Sequence, residues 1–223
     1  MEPIRARQCK RAYLDRPVPT ELLADVLEAA AMAPSTRNGQ PWRIEVVTAD
    51  ARRRLAARLV AEFDRGVPTN PDYRNRGIDD PATKARAADA IAGVLRARGL
   101  TSRRQHLRDN LGFYGAPVEL ILHLAADAPP GWFLEAGFFL QNVMLGLVSA
   151  GLGSCPQFSV AGYPDVVREV LGLGPERLIV CGLAVGYPDE SAAVNGFRPP
   201  RAPLGDYVRW HGQAPLAADT ATG

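Results

Sequence analysis

The sequence predicts an α+β domain, and three observations lead there. Residues 43–48, 118–124 and 178–185 are short runs rich in apolar and β-branched side chains, which read as strands. Longer stretches of helical periodicity separate them, so helices layer on a sheet. The run 178–185 is nearly continuous apolar sequence, as expected of a central strand covered on both faces. With 223 residues, the chain suits one domain that buries roughly 70% of its unfolded surface.

In chain order, Arg5, Arg7, Lys10 and Arg11 crowd one short segment. It reads either as a solvated basic helix face or as an anion clamp, because guanidinium forks match phosphate oxygens two at a time. A helix over residues 20–32 carries Leu22, Leu23, Val26, Leu27 and Ala30 as one stripe. Residues 33–42 then join helix to strand. Pro34 and Gly39 supply turn geometry, the first by fixing φ and the second by tolerating positive φ. Ser35, Asn38 and Gln40 supply donors and acceptors. Such a loop serves a planar, polar-edged ligand, or it simply satisfies its own backbone.

After the strand at 43–48, Asp50 is placed to cap a helix bearing Leu55, Leu59 and Phe63. Residues 66–81 are polar and longer than most connections. Helices follow at 81–98 and 102–113. In the strand 118–124, Val118, Leu120, Leu122 and Leu124 share one face, with Glu119, Ile121 and His123 on the other. A lone strand histidine reads as structural. Residues 132–152 are the most apolar and approach membrane-spanning length. Glu135, Gln141, Asn142 and Ser149 interrupt them, so they predict a helix buried in protein at a subunit interface, stopped by Gly151 and Gly153. Residues 154–160 read as a loop, and Pro164 opens a helix with Val166, Val167, Val170 and Leu171. Residues 187–203 are irregular, and 213–223 read as a disordered tail.

Composition excludes several classes. A formal net charge of +2 provides no field for nucleic acid. Cys9, Cys155 and Cys181 lack metal-like spacing, and the N-terminus has no apolar signal core, so the expectation is a cytoplasmic protein with reduced thiols. His106, His123 and His211 are too dispersed for a metal centre. No G-x-S-x-G or H-E-x-x-H occurs, and the Gly151–Gly153 pair lacks a third glycine for a dinucleotide turn.

Four segments carry a resemblance. They are Arg7-Gln8-Cys9-Lys10-Arg11-Ala12-Tyr13, the Pro-Ser…Asn…Gln-Pro-Trp loop at 33–42, Gly153-Ser154-Cys155-Pro156-Gln157, and Arg201-Ala202-Pro203-Leu204. In this order they resemble the FMN-dependent nitroreductase family. Trp132, Gln141-Asn142 and the Cys-Pro-Gln run look most like its para-nitrobenzoate reductase branch. The resemblance implies a mixed, mostly antiparallel sheet flanked by helices in residues 1–212, and a homodimer with a domain-swapped C-terminal arm, residues 187–203, that wraps the partner subunit and returns Arg201 to the flavin phosphate. It implies FMN as cofactor and NADPH or NADH as donor. The acceptor is a small nitroaromatic or quinone-like molecule, served by ping-pong kinetics. The redox chemistry then lies at flavin N5, and no side chain acts as acid, base or nucleophile.

The resemblance also assigns contacts. Arg7, Arg11 and Arg201 take the phosphate, and Arg11 doubles as the cation near flavin N1. Cys9 stands where the family usually has serine, beside Gln8. Pro34, Ser35, Asn38 and Gln40 belong to the flavin-holding loop, the first three supplied by the second subunit. Pro156, Gln157, Phe158 and Ser159 face the dimethylbenzene and N5 side, and Asn110 meets the pyrimidine edge. The alternatives are a flavin-dependent dehydrogenase or desaturase without NAD(P)H turnover, and a non-catalytic flavin-binding protein.

Overall fold

The computed structural model describes residues 1–73 and 80–212; the tail at 213–223 and part of the polar 66–81 stretch lie outside the described residues. Four strands form one sheet in the order β1-β2-β4-β3, each neighbouring pair antiparallel. These are β1 (Arg43–Thr48), β2 (Val118–Ala125), β3 (Gly153–Gln157) and β4 (Arg177–Gly186). The parallel contribution is an isolated bridge between Cys9 and Ser154. Three of the four strands fall where the apolar runs predict them.

β3 corrects the loop expected at 154–160. Its five residues carry no β-branched side chain, and Pro156 removes a ladder donor, which a strand tolerates at a sheet edge. Gly153 likewise begins this strand instead of ending the preceding helix. A Cβ there would lie 2.6 Å from the Lys10 side chain, so glycine makes room for that stem. Gly151, at φ +73, is the residue that turns the chain.

Helices cover both faces of the sheet. On one side, α2 (Thr20–Ala30) and α6 (Pro130–Ser149) enclose Val118, Leu120, Leu122 and Leu124. Trp42 stacks on Phe139 there, with centroids 4.9 Å apart. On the other, α3 (Ala49–Asp64), α5 (Arg103–Leu111) and α7 (Pro164–Leu171) contribute Leu55, Leu59, Leu111 and Val167 around Ile121 and Ile179. A register shift at Leu122/His123 leaves Val180 without a partner in β2, which is why Val180 and Cys181 both join the first cluster. His123 is buried, with Nε2 3.1 Å from Glu45 Oε1.

α6 is long and apolar enough to cross a bilayer, yet Ala136, Phe139, Val143 and Leu147 belong to the core. Its opposite face is bare in the single chain: Leu134 is 61% and Phe138 41% exposed. Asp50 is not the cap of α3. The N-cap is Thr48, and Asp50 lies in the first turn, where its charge favours the helix dipole and meets Arg53. α4 (Pro81–Ala97) is capped by Asp80, which accepts from the Thr83 N–H at 2.7 Å. Gly93 of α4 leaves the space that the Phe197 ring fills, just past the short α8 (Ala193–Gly196). The basic segment near the N-terminus is only partly helical: α1 (Glu2–Ala6) ends before Arg7, and the chain then runs extended to the bridges at Cys9 and Tyr13.

Candidate active site: an arginine-lined cleft

The extended segment 7–13 is laid against the sheet edge by backbone pairing. Lys10 N–H donates to Ser154 O at 3.0 Å, and Leu14 N–H to Tyr187 O at 2.9 Å. From the other side the fully buried Asn195 holds it. Asn195 Oδ1 accepts from Arg11 N–H at 2.8 Å, and its Nδ2 donates to Ala12 O at 2.7 Å and Asp189 O at 2.9 Å. The carbonyl of Asn195 accepts from the side chains of Gln8 and Lys10. Lys10 is thereby structural: it is buried and pairs with Glu190 at 2.9 Å.

What this scaffold creates is a cleft of about 490 Å³. Arg5, Arg7, Arg11, Arg198 and Arg201 line it, together with Gln8 and Cys9, against an apolar wall of Ile91, Val94 and Phe197. No carboxylate is among the lining residues. Among the described residues, none of Arg7, Arg11 and Arg201 forms an ion pair with an acidic side chain. Converging cations without an internal counter-charge make an anion site. From the 187–203 stretch expected to wrap the partner, Phe197, Arg198, Pro199 and Arg201 line this cleft within the same chain, and Arg198 Nη1 donates to Arg5 O at 2.9 Å.

Arg11 leads to a second group. Its guanidinium lies beside the Tyr114 phenol, whose pKa burial pushes well up. Tyr114 adopts φ +52, uncommon for a bulky residue, with its ring held beside His106 and Arg98. Burial, reinforced by Arg98, lowers His106 to about 4, so it stays neutral near pH 7. Tyr114 Oη accepts from Asn110 Nδ2 at 2.8 Å, and Asn110 Oδ1 accepts from Gln157 Nε2 at 3.0 Å and from Ser159 Oγ. Both the oxygen and the nitrogen of the Asn110 amide are thus engaged. Of the six buried side-chain atoms without a partner among the described residues, three belong to this site: Gln8 Oε1, Arg11 Nε and Gln157 Oε1. Buried polar atoms are normally satisfied, and each orphan costs about 1–3 kcal/mol. A ligand with an anionic end and a polar-edged ring suits this set.

The 33–42 loop stands apart. One 3₁₀ turn spans Thr36–Asn38, anchored by Glu135 Oε1, which accepts from Thr36 N–H at 2.8 Å. Positive φ falls at Arg37, Asn38 and Gln40, while Gly39 is right-handed at φ −70. Gly39 is therefore there for closeness and not for φ, since a Cβ would sit 3.1 Å from Thr36 O. Ser35 Oγ accepts from Gln40 N–H, and Asn38 Oδ1 from Gln40 Nε2 at 3.0 Å.

Of the residues singled out in the sequence, Arg7, Gln8, Cys9, Arg11 and Arg201 meet in one cleft. Asn110, Gln157 and Ser159 form the adjoining network, with Pro156 between Cys155 and Gln157 on β3. Pro34, Ser35, Asn38 and Gln40 line neither this cleft nor the one beside Phe158. Phe158 is 58% exposed and borders a separate cavity of about 290 Å³ with Tyr73 and Tyr163. Tyr114, Asn195 and Arg198 escaped the sequence reading. The only sequence signals were a Phe-Tyr-Gly turn and an asparagine in a Pro- and Arg-rich arm.

Comparison with known proteins adds the family. The model of the nitroreductase family matches residues 4–187. Nitroreductase NfnB of Mycolicibacterium smegmatis is 36% identical over 213 residues, covering 93% of this chain and 90% of that protein. The 4-nitrobenzoate reductase of Pseudomonas putida is 35% identical over 207 residues, 89% of each chain. The crystal structure of the FMN-dependent nitroreductase NfnB from Mycobacterium smegmatis in complex with NADPH superposes with a TM-score of 0.89 at 34% identity, over 94% of this chain and 96% of that one. With the family model spanning most of its length, this chain belongs to the nitroreductase family.

Proposed function

We propose that this chain is an FMN-dependent oxidoreductase that passes hydride equivalents from NADPH or NADH to a nitroaromatic or quinone-like acceptor by a ping-pong route. The observation that carries this reading is the cleft of five arginines without a carboxylate, joined to buried polar atoms that lack partners. Arg7, Arg11 and Arg201 hold the phosphate of FMN. Gln8, Cys9 and Gln157 meet its polar ring edge, and Asn110 positions Gln157 through the amide pair at 3.0 Å. FMN, when bound, supplies the hydride-accepting and hydride-donating chemistry. This chain's residues bind it, orient it and place positive charge beside it.

Two copies make the working unit. The bare apolar face of α6 with Leu134 and Phe138, and the exposed Met32 beside the 33–42 loop, support a homodimer. In it Pro34, Ser35, Asn38 and Gln40 reach the partner's cofactor. Residues after Arg201, with Leu204, Tyr207 and Trp210 exposed, provide the exchanged arm. The free thiols of Cys9, Cys155 and Cys181 fit a cytoplasmic setting.

The test is anaerobic stopped-flow. Flavin bleaching by NADPH or NADH, followed by reoxidation with a nitroarene, is the expected result, with parallel double-reciprocal plots across acceptor concentrations. Failure of both nucleotides to bleach the flavin rejects the reductase reading in favour of a flavoprotein without NAD(P)H turnover.

A further inference from the structure

We propose that Cys9 and Cys155 are a peroxide-reactive thiol pair that closes an intramolecular disulfide at the wall of the arginine cleft. Cys9 bridges Ser154 in parallel, and Cys155 is the next residue of β3. Cys9 and Cys155 are therefore diagonal neighbours: about 4.8 Å between strands and about 3.3 Å along one place their Cα atoms about 5.8 Å apart, inside the spacing of about 4.4–6.8 Å that a disulfide accepts. Cys155 is buried in the second core cluster, and Cys9 packs against that same cluster. They differ in access: Cys9 lines the cleft, whereas Cys155 is 2% exposed behind it.

Their surroundings divide the labour. Cys9 lies beside Cys155 and the Arg11 and Arg7 guanidiniums, which together hold its pKa below the usual thiol range against the opposing effect of burial. Cys155, beside Cys9 in an apolar setting and with Sγ directed to Pro156 O, is pushed well up. Cys9 is accordingly the attacking thiolate and Cys155 the resolving thiol. Cys181 is a contrast within the same molecule, fully buried in the first core cluster and raised to about 12 by burial.

The oxidant is a hydroperoxide. The Cys9 thiolate attacks one peroxide oxygen, the O–O bond breaks, and Cys9 sulfenic acid forms as hydroxide departs. The Cys155 sulfur then attacks the Cys9 sulfur, the S–O bond breaks, and the leaving oxygen takes up a proton as water. Two thiols are oxidised by two electrons, and one hydrogen peroxide becomes two waters.

The experiment treats the full-length protein with a modest excess of hydrogen peroxide, with cofactor in place and after its removal. Free thiols are then alkylated, and intact mass and peptide maps are recorded. The expected result, in at least one of the two states, is loss of two of the three thiols with a mass decrease of about 2 Da. A Cys9–Cys155 cross-linked peptide should appear, and dithiothreitol should reverse all three changes. In Cys155→Ala, oxidation should stop at a dimedone-trappable sulfenic acid on Cys9, and Cys9→Ser should leave Cys155 fully alkylated. A cross-link joining two chains overturns the proposal. So does further oxidation of Cys9 while Cys155 stays free, or no thiol loss in either state. The wild-type map decides even if a variant fails to fold. Because the readout is mass and thiol count, failure here leaves the flavin reading standing.

Discussion

Replacing Arg201 by alanine tests the anion clamp where the fold is least engaged. Arg201 lies exposed at the cleft, and no acidic side chain among the described residues pairs with it. Its removal leaves no buried charge stranded, so the apoprotein should keep its melting temperature. A charge-assisted hydrogen bond contributes about 1.5–3 kcal/mol. Solvent screening at an exposed position argues for the lower end, and about 1.4 kcal/mol is tenfold in the dissociation constant. Arg11 is half-buried and also contacts Tyr114. Arg11→Ala should therefore weaken FMN by about a hundredfold, near the upper end of the same range. The assay is quenching of FMN fluorescence on titration with apoprotein at two ionic strengths. Both variants should show a shallower salt dependence than the wild type, because each removes one of the five cleft arginines. An Arg201→Ala constant within about twofold of wild type, or an equal loss in the distant Arg54→Ala control, would refute the clamp.

Three further outcomes are expected. Glu119 is fully buried with both oxygens unpaired, and burial raises its pKa well above the usual range. Below the unfolded value of about 4.3 both states hold the proton. As pH rises, only the unfolded chain ionises, so stability falls by up to about 1.4 kcal/mol per pH unit. Glu119→Gln removes that slope, and its stability relative to wild type in urea should climb from pH 5 to pH 7; a flat difference refutes it. Asn195→Ala strands Arg11 N, Ala12 O and Asp189 O. It should lower stability by about 3 kcal/mol and weaken FMN, and wild-type-like melting would deny Asn195 its role. Phe138→Glu on the bare face of α6 should yield monomers in sedimentation. An intact, equally stable dimer would place the interface elsewhere.

The sequence by itself determined the layering. Alternation along residues 118–124 assigned Val118, Leu120, Leu122 and Leu124 to one face, and they fill one core cluster while Ile121 fills the other. Period-two and period-3.6 patterns are local, so burial imprints them directly on the chain. The basic character of the cleft was legible in part, because Arg5, Arg7 and Arg11, which line it, already crowd one short segment of the sequence.

Tertiary structure decided the rest. β3 was hidden because Pro156 and the absence of β-branched residues erase the strand signal, and only its place at the sheet edge makes it possible. Gly39 looked like a positive-φ turn residue, but strain sits on Arg37, Asn38 and Gln40, held by Glu135 from α6. Arg201 joins Arg7 and Arg11 because the buried Asn195 ties the late arm to the first extended segment. Cys9 meets Cys155 because one backbone bridge sets the two segments side by side. Contacts so distant along the chain leave no periodic trace, since they are selected by the packing of whole elements and not by neighbouring residues.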